Sequence, residues 1–492
     1  MNPQIRRLFF VLVFLFTALV GIASYWLWKA PDLEARQGNP NLIVRQLTIK
    51  RGLIYAANGH TVFATNRKKR VQGRTWYLRR YPTGPLVAQT VGYSTVERSR
   101  SGLEKSLNDF LTGSNANLRT LLDTTLDKLR GLTQQGNNVY TTIDVGAQRA
   151  AMKALAGQCG SAVALDPRTG ALLAMASVPS YDPNLIERHF KRANQAPGAP
   201  CTPPAPLLNR ATDGLFIPGS TFKVVTATAA LDTGRFQPSS RFVDRGYCVE
   251  YGKKVLNFAD QSGPEVFGSV DFNQALEHSI NAVFCEIGKE LGPNVILDYA
   301  KRYGFYADPP LETPSDERAP SGLYSGSKLF EPKDPNQVDP GRLAFGQERM
   351  LVTPIQMAMV AAAVANHGVL MEPHVVARIV DPHGHVITRT SPQVYRRVMK
   401  PRTAAELTAM MELVVQGGTG TAAQIPGLQV AGKTGTAETG RSHQNDTWFI
   451  AFAPANRPRI AVAVALQNQS ATGGTTAAPI AKSIIEAGLG TH

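Results

Sequence analysis

The chain has 492 residues, of which 43% are hydrophobic and 18% charged. That is too long for one ordinary domain and too apolar for wholesale disorder. Its 43 glycines and 33 prolines follow no period, which excludes a fibrous chain, and four cysteines exclude a disulfide scaffold. A net charge of +15 admits nucleic acid, anionic lipid or an anionic polymer as neighbours without choosing among them.

The first element is LFFVLVFLFTALVGIASYWLW, residues 8–28, which holds no formal charge. Twenty-one helical residues, at about 1.5 Å each, match a hydrocarbon core of about 30 Å. Arg6 and Arg7 precede it, and Tyr25, Trp26 and Trp28 stand where an interfacial aromatic belt falls. We expect an uncleaved anchor behind a short cytoplasmic tail, residues 1–7. The competing reading is a signal peptide cut near Gly21-Ile22-Ala23, but the apolar run continues past that point. Charges flanking the span are nearly balanced, so they do not by themselves set its orientation. On an exported domain Cys159, Cys201, Cys248 and Cys285 are able to oxidise, in a pairing that sequence does not fix.

Residues 29–140 are basic and mixed. Arg67-Lys68-Lys69-Arg70, with Arg74, Arg79 and Arg80, is the densest positive stretch. It reads as a solvated loop or strand face, or as a contact for lipid headgroups or an acidic wall polymer. From Val139 onward short apolar runs alternate with Ala-rich ones, an α/β or α+β texture. Residues 161–177 predict a hairpin turning at Asp166-Pro167-Arg168-Thr169-Gly170. A buried helix is predicted over 224–234, closed by Gly234, and a second over 353–368, opened by Thr353-Pro354 and closed by Gly368. The Pro-rich stretches 196–206 and 307–340 are expected to be surface loops.

Three short elements carry chemistry: Ser220-Thr-Phe-Lys223, Ser279-Ile280-Asn281 and Lys433-Thr434-Gly435-Thr436. Residues i and i+3 share a helix face, so Lys223 is placed to take the proton of Ser220 as a general base. Pro218-Gly219 allows a tight turn that sets Ser220 at a helix N-terminus, where free N–H groups favour an oxyanion. Each pattern alone is weak. Ser325-Gly-Ser-Lys328 repeats the first and Ser106-Leu-Asn108 the second, in the wrong contexts. Gly427 to Thr434 matches a phosphate-binding loop, yet an apolar strand comes next where that loop needs a helix. No H-E-x-x-H or G-x-S-x-G occurs. His278 beside Ser279 is the kind of lone histidine that is usually structural.

At these residues the chain resembles the class B penicillin-binding proteins, of the monofunctional actinobacterial type, whose S-x-x-K, S-x-N and K-T-G elements line one cleft. The resemblance extends over 164–184, 209–223, 344–368 and 430–438, and Arg51-Gly52-Leu53-Ile54 with Asn58-Gly59 is similar to the element that follows the anchor in that class. It implies a transpeptidase domain over 141–492, an antiparallel sheet flanked by helices, and a small pedestal of dimerisation type over 29–140. The pedestal is too short for a glycosyltransferase. By the resemblance Ser220 attacks the D-Ala–D-Ala carbonyl of a peptidoglycan stem peptide, Lys223 is its base, and Ser279 relays a proton. By the same resemblance Asn281 holds the substrate amide, while Lys433 lowers the pKa of Lys223 and steadies Ser279 within a substrate-binding element that includes Gly435. Thr434 and Thr436 bind the terminal carboxylate, and the N–H groups of Ser220 and Thr436 form the oxyanion hole. β-Lactams acylate the same serine. The resemblance implies no metal or cofactor, a polytopic glycan polymerase of the shape and division family as membrane partner, and no nucleic acid. A D,D-carboxypeptidase or β-lactamase, and a non-catalytic division scaffold, are the competing readings.

Overall fold

The computed structural model describes residues 3–34, 47–71, 73–96, 99–114, 134–260, 263–441 and 444–490. The apolar run forms one helix, α1 (Pro3–Glu34), longer at both ends than the expected span. Over Pro3–Trp26 its mean hydropathy is 2.4 and none of it packs inside the protein. A membrane anchor and a signal sequence share that property.

Beyond α1 the first strands are β1 (Ile54–Tyr55), β2 (Val62–Val71), β3 (Arg74–Arg80) and β4 (Asn138–Thr141). Asn58-Gly59 makes the turn into β2. The Asn58 side chain accepts from the N–H groups of His60 and Thr61 at 3.0 and 2.9 Å, and Gly59 sits at φ +70°, where an L side chain is strained. The basic region is thus a hairpin rather than a loop, and one of its cations points inward. Arg79 and Arg51 both pair with the fully buried Glu104. Burial pushes the Glu104 carboxyl up, but the two guanidinium groups outweigh it and hold it below the ordinary range.

The second unit opens with α2 (Val145–Ala154), capped by Asp144, whose carboxylate accepts from the Ala147 N–H at 2.8 Å. The predicted hairpin follows as β5 (Gly160–Leu165) and β6 (Leu172–Val178), with Gly170 at φ +80° in its turn. Next come α3 (Lys223–Asp232), α4 (Phe272–Glu277), α5 (Asn281–Leu291) and α6 (Pro354–Ala365). Both predicted buried helices are present, and every residue of α3 and α6 is buried. Thr353 caps α6 through the Gln356 N–H, and Gly368 at φ +82° ends the excursion. The stretch 307–340 departs from expectation. Gly322–Ser325 forms a strand between Lys328–Leu329 and Met350–Leu351, with Leu323 and Tyr324 buried. Its apolar run is only three residues long, too short to stand out among prolines.

Two strands, β7 (Val376–Val380) and β8 (Val386–Arg389), return to the first unit. They complete a six-stranded sheet in the order β8-β7-β4-β1-β2-β3, with β1 and β4 parallel. After α7 (Pro401–Gln416) come β9 (Ala431–Arg441), β10 (Gln444–Ala453), β11 (Ile460–Gln469) and α8 (Gly473–Leu489). The central sheet is antiparallel throughout, ordered β9-β10-β11-β5-β6.

Period-two alternation assigns its two faces. Phe449, Ala451 and Ala453 join Ala147, Ala151, Ile484 and Ile485 in the core under α2 and α8. Trp448, Ile450 and Phe452 join the core that holds α3 and α6. Both faces are covered, which is why these strands read as continuous apolar runs. The fold is an antiparallel sheet flanked by helices, with a small pedestal and one N-terminal apolar helix.

Candidate active site

The turn Pro218-Gly219-Ser220 enters the 3₁₀ turn Gly219–Phe222 that begins α3, so Ser220 stands at a helix start as its spacing predicts. Gly219 adopts φ +50°, and a Cβ there would lie 3.0 Å from both Ala437 Cβ and Thr436 O of β9. Across the gap, a Cβ on Gly435 would come within 2.9 Å of Pro218 O and Thr221 Cγ2. Two glycines therefore let the serine turn lie directly on the K-T-G strand. The turn also hangs from β10. Asp446 accepts the Ile217 N–H at 3.1 Å and Trp448 Nε1 donates to Ile217 O at 2.9 Å. Sequence reasoning missed both residues, because nothing local marks a side chain that bonds a backbone group over two hundred positions away.

The second element joins α4 to α5. Asp271 and Gln274 form a reciprocal capping box at the start of α4. After the helix the chain turns sharply, and Ser279 is held at φ +59°, a left-handed conformation uncommon for a residue with a Cβ. Ser279 and Asn281 thereby face α3. Lys223 Nζ donates to Ser279 O at 2.6 Å, Asn281 Oδ1 at 2.7 Å and Ser279 Oγ at 3.2 Å. Lys433 Nζ, from β9, donates to the same Ser279 Oγ at 2.9 Å and to Thr434 O at 3.1 Å.

Lys223, Ser279, Asn281 and Lys433 thus converge in one network from three separate elements. The polar contacts of Lys223 go to Ser279 and Asn281 rather than to Ser220, a difference from the direct serine–lysine bond expected from i, i+3 spacing. The reason is tertiary: the α4–α5 connection brings three oxygens within hydrogen-bond distance of Lys223 Nζ at once.

Both lysines are fully buried. Burial lowers Lys223 well below the ordinary lysine range, and the neighbouring Lys433 lowers it further. Burial alone brings Lys433 down to about 7. The Phe284 ring, 5.2 Å from Lys223 Nζ, supplies the apolar wall. Thr434 Oγ1 lies 2.6 Å from Thr419 Oγ1, and Thr436 Oγ1 accepts the Gly473 N–H at 3.1 Å. Both threonine hydroxyls are positioned by partners outside the motif. Gly435 lies between them on β9, the edge strand of the central sheet.

The misleading matches separate on the same grounds. Ser325 and Lys328 are opposite each other across an exposed hairpin turn. Asn108 belongs to the pedestal, where it accepts from Arg51 at 2.9 Å. Lys433 of the apparent phosphate loop sits inside a strand. The His278 ring stacks on Phe267, with centroids 5.2 Å apart. The four cysteines resolve into Cys159–Cys201 and Cys248–Cys285, with Cα atoms 5.6 and 6.2 Å apart. Among the described residues no group of His, Cys, Asp or Glu could hold a metal.

A serine at a helix start, two buried lysines and an edge strand are parts from which a serine acyl-transfer centre can be built. The penicillin binding protein transpeptidase domain matches residues 160–486, and the penicillin binding protein A dimerisation domain matches 51–139. The chain belongs to the penicillin-binding protein transpeptidase family. It is 34% identical to the peptidoglycan D,D-transpeptidase PbpA of Mycolicibacterium smegmatis, over 99% of both chains. With the MrdA transpeptidase of Acinetobacter baumannii it shares 29% over 85% of this chain and 66% of that one. Among solved structures, the imipenem acyl-enzyme complex of penicillin-binding protein A from M. tuberculosis superposes with a TM-score of 0.79. That match has 32% identity and covers 90% of this chain and all of the other.

Proposed function

We propose that this chain is a peptidoglycan D,D-transpeptidase that works through an acyl-enzyme on Ser220 and is acylated there by β-lactams. The observation that carries the reading is the convergence of Lys223 and Lys433 on Ser279 Oγ, beside the Ser220 turn. The relatives named above support it, since one is a transpeptidase by name and another was solved as an imipenem acyl-enzyme.

Ser220 Oγ attacks the carbonyl of the penultimate D-Ala as its proton passes to neutral Lys223. Burial and Lys433 favour the neutral amine, which keeps a lone pair while donating to Ser279 O and Asn281 Oδ1. The N–H groups of Ser220 and Thr436 stabilise the oxyanion. Ser279, bridged between the lysines, returns a proton to the leaving D-Ala. Asn281 holds the peptide amide, and Thr434 and Thr436 the terminal carboxylate. An amine from a second stem peptide then resolves the acyl-enzyme, so one difficult exchange becomes two easier steps. α1 serves as an uncleaved anchor with the catalytic body outside the cytoplasm, and it is the natural contact for a polytopic glycan polymerase.

A test supplies a D-Ala–D-Ala peptide with an amine acceptor and follows released D-Ala and cross-linked product. The expected result is cross-linked product in an amount that tracks D-Ala release. Release without cross-linking, however much acceptor is added, would instead assign a carboxypeptidase.

A further inference from the structure

The β2–β3 hairpin has no part in this chemistry, yet it carries a dense run of exposed positive charge. Between Val62 and Arg80 stand Arg67, Lys68, Lys69, Arg70, Arg74, Arg79 and Arg80, with no Asp or Glu. Arg79 is committed to Glu104, and the other six form no ion pair among the described residues. Arg67 to Arg70, Arg74 and Arg80 are exposed.

The register pairs Arg67 with Leu78, Lys69 with Trp76, Val71 with Arg74 and Thr65 with Arg80. Cross-strand partners share a face, so one face of the ribbon carries Arg67, Lys69, Arg74 and Arg80 around Trp76 and Leu78. Trp76 and Leu78 are half-buried between the cations, so this face offers chiefly positive charge, which suits an anionic headgroup surface. Because β3 is a sheet edge, charge could serve only to prevent strand addition. That purpose needs an occasional charge on the edge strand. It does not account for four consecutive cations on β2 in a hairpin without one acidic residue, even though β2 past Ala64 has no strand on its β1 side among the described residues.

We propose that this hairpin docks on the anionic phospholipid surface of the membrane in which α1 is anchored, a proposal that rests on the anchored reading above. Charge complementarity names the lipid, and the chain supplies proximity. Only twelve residues, 35–46, lie between the end of α1 and the resumption of the described chain at Leu47. Extended at about 3.4 Å each, they tether the pedestal within about 40 Å of the helix end. At such a distance a weak electrostatic contact is sampled at high effective concentration.

The test reconstitutes the full chain in nanodiscs of phosphatidylcholine alone or with phosphatidylglycerol. The readout is the rate at which a water-soluble acylating reagent modifies Lys69, on the docking face, relative to Lys68, whose side chain projects from the opposite face. Docking predicts modification slower by about fivefold or more in the anionic discs. Half-molar salt should abolish the difference, as should the triple variant Arg67→Gln, Arg74→Gln, Arg80→Gln, which keeps both reporter lysines and penicillin labelling. Equal rates in both discs would overturn the proposal while leaving the anchor intact. Equal rates that fall on adding soluble poly(glycerol phosphate) would overturn it in favour of a wall polymer. Protein eluting free of the discs would refute the anchor and the docking together.

Discussion

In the proposed mechanism Lys433 couples catalysis to stability. Its folded pKa of about 7 lies below the usual lysine value, and Lys223 is lowered in the same sense. In the unfolded chain both amines regain a proton below about 10.5. Between the folded and unfolded values the unfolded state therefore binds more protons, and stability rises with pH across that window. Lys433→Met removes one of these groups. We predict that its melting temperature rises less than that of the wild type between pH 7 and pH 9, and that its acylation by penicillin falls by at least about a hundredfold. An unchanged pH slope would show that the buried amines are not held neutral.

Asp446 is the residue-scale counterpart on the other side of Ser220. It is buried, and burial raises its carboxyl to about 7 despite the Ile217 N–H. Asp446→Leu leaves that N–H buried without an acceptor, a loss of about 1–3 kcal/mol, and frees the segment three residues before Ser220, the proposed nucleophile. Acylation is expected to slow by about tenfold or more, with Asp446→Asn, which keeps an acceptor oxygen, close to wild type. Stopped-flow acylation alongside thermal melts separates misplacement of Ser220 from general unfolding.

At the scale of elements, what was legible followed from local rules. Thr353-Pro354 and Gly368 bracket α6, and the Asp166–Gly170 turn forces the β5–β6 hairpin whatever surrounds it. The order and spacing of the three motifs singled out Ser220, Lys223, Ser279, Asn281 and Lys433 as candidates, and the fold joins the last four in one network. The illegible parts depend on distant partners. The strand at 322–325 exists because it pairs with 350–351. Lys223 turns to Ser279 because α5 is packed against α3. The cysteine pairing is of the same kind. Cys285 lies one helical turn beyond Asn281, and its bond to Cys248 pins the strand Tyr247–Glu250 to α5. The adjoining strand Lys253–Leu256 ends on Leu256, whose carbonyl accepts from Asn281 Nδ2 at 3.0 Å. Replacing both cysteines by serine is predicted to cost about 2–4 kcal/mol in chemical denaturation, with a smaller loss of acylation rate as Asn281 loses its support. Loss of neither would show that the bond is dispensable to α5.

The whole molecule is organised by two sheets, and the pedestal sheet cannot be completed from the pedestal alone. β4 pairs on one side with β1 and on the other with β7, a strand placed between α6 and α7 in the sequence. A break near residue 141 would therefore expose the β7 edge and strip cover from Val376 and Ile379, both buried. The catalytic part expressed from residue 141 is predicted to melt below the full chain and to self-associate, which sedimentation and thermal melts would read. The positive charge is also placed at this scale, since much of it lies on one pedestal hairpin far in sequence from the acyl-transfer centre.

In the proposed mechanism Ser220 is the nucleophile of a penicillin-sensitive transpeptidase. Intact-mass spectrometry after incubation with penicillin G, followed by peptide mapping, tests it most directly. The expected result is a single long-lived adduct of the mass of the whole drug, mapped to the peptide containing Ser220 and absent from Ser220→Ala. An adduct of equal yield in Ser220→Ala, or one mapped to Ser325 or another serine, would contradict it.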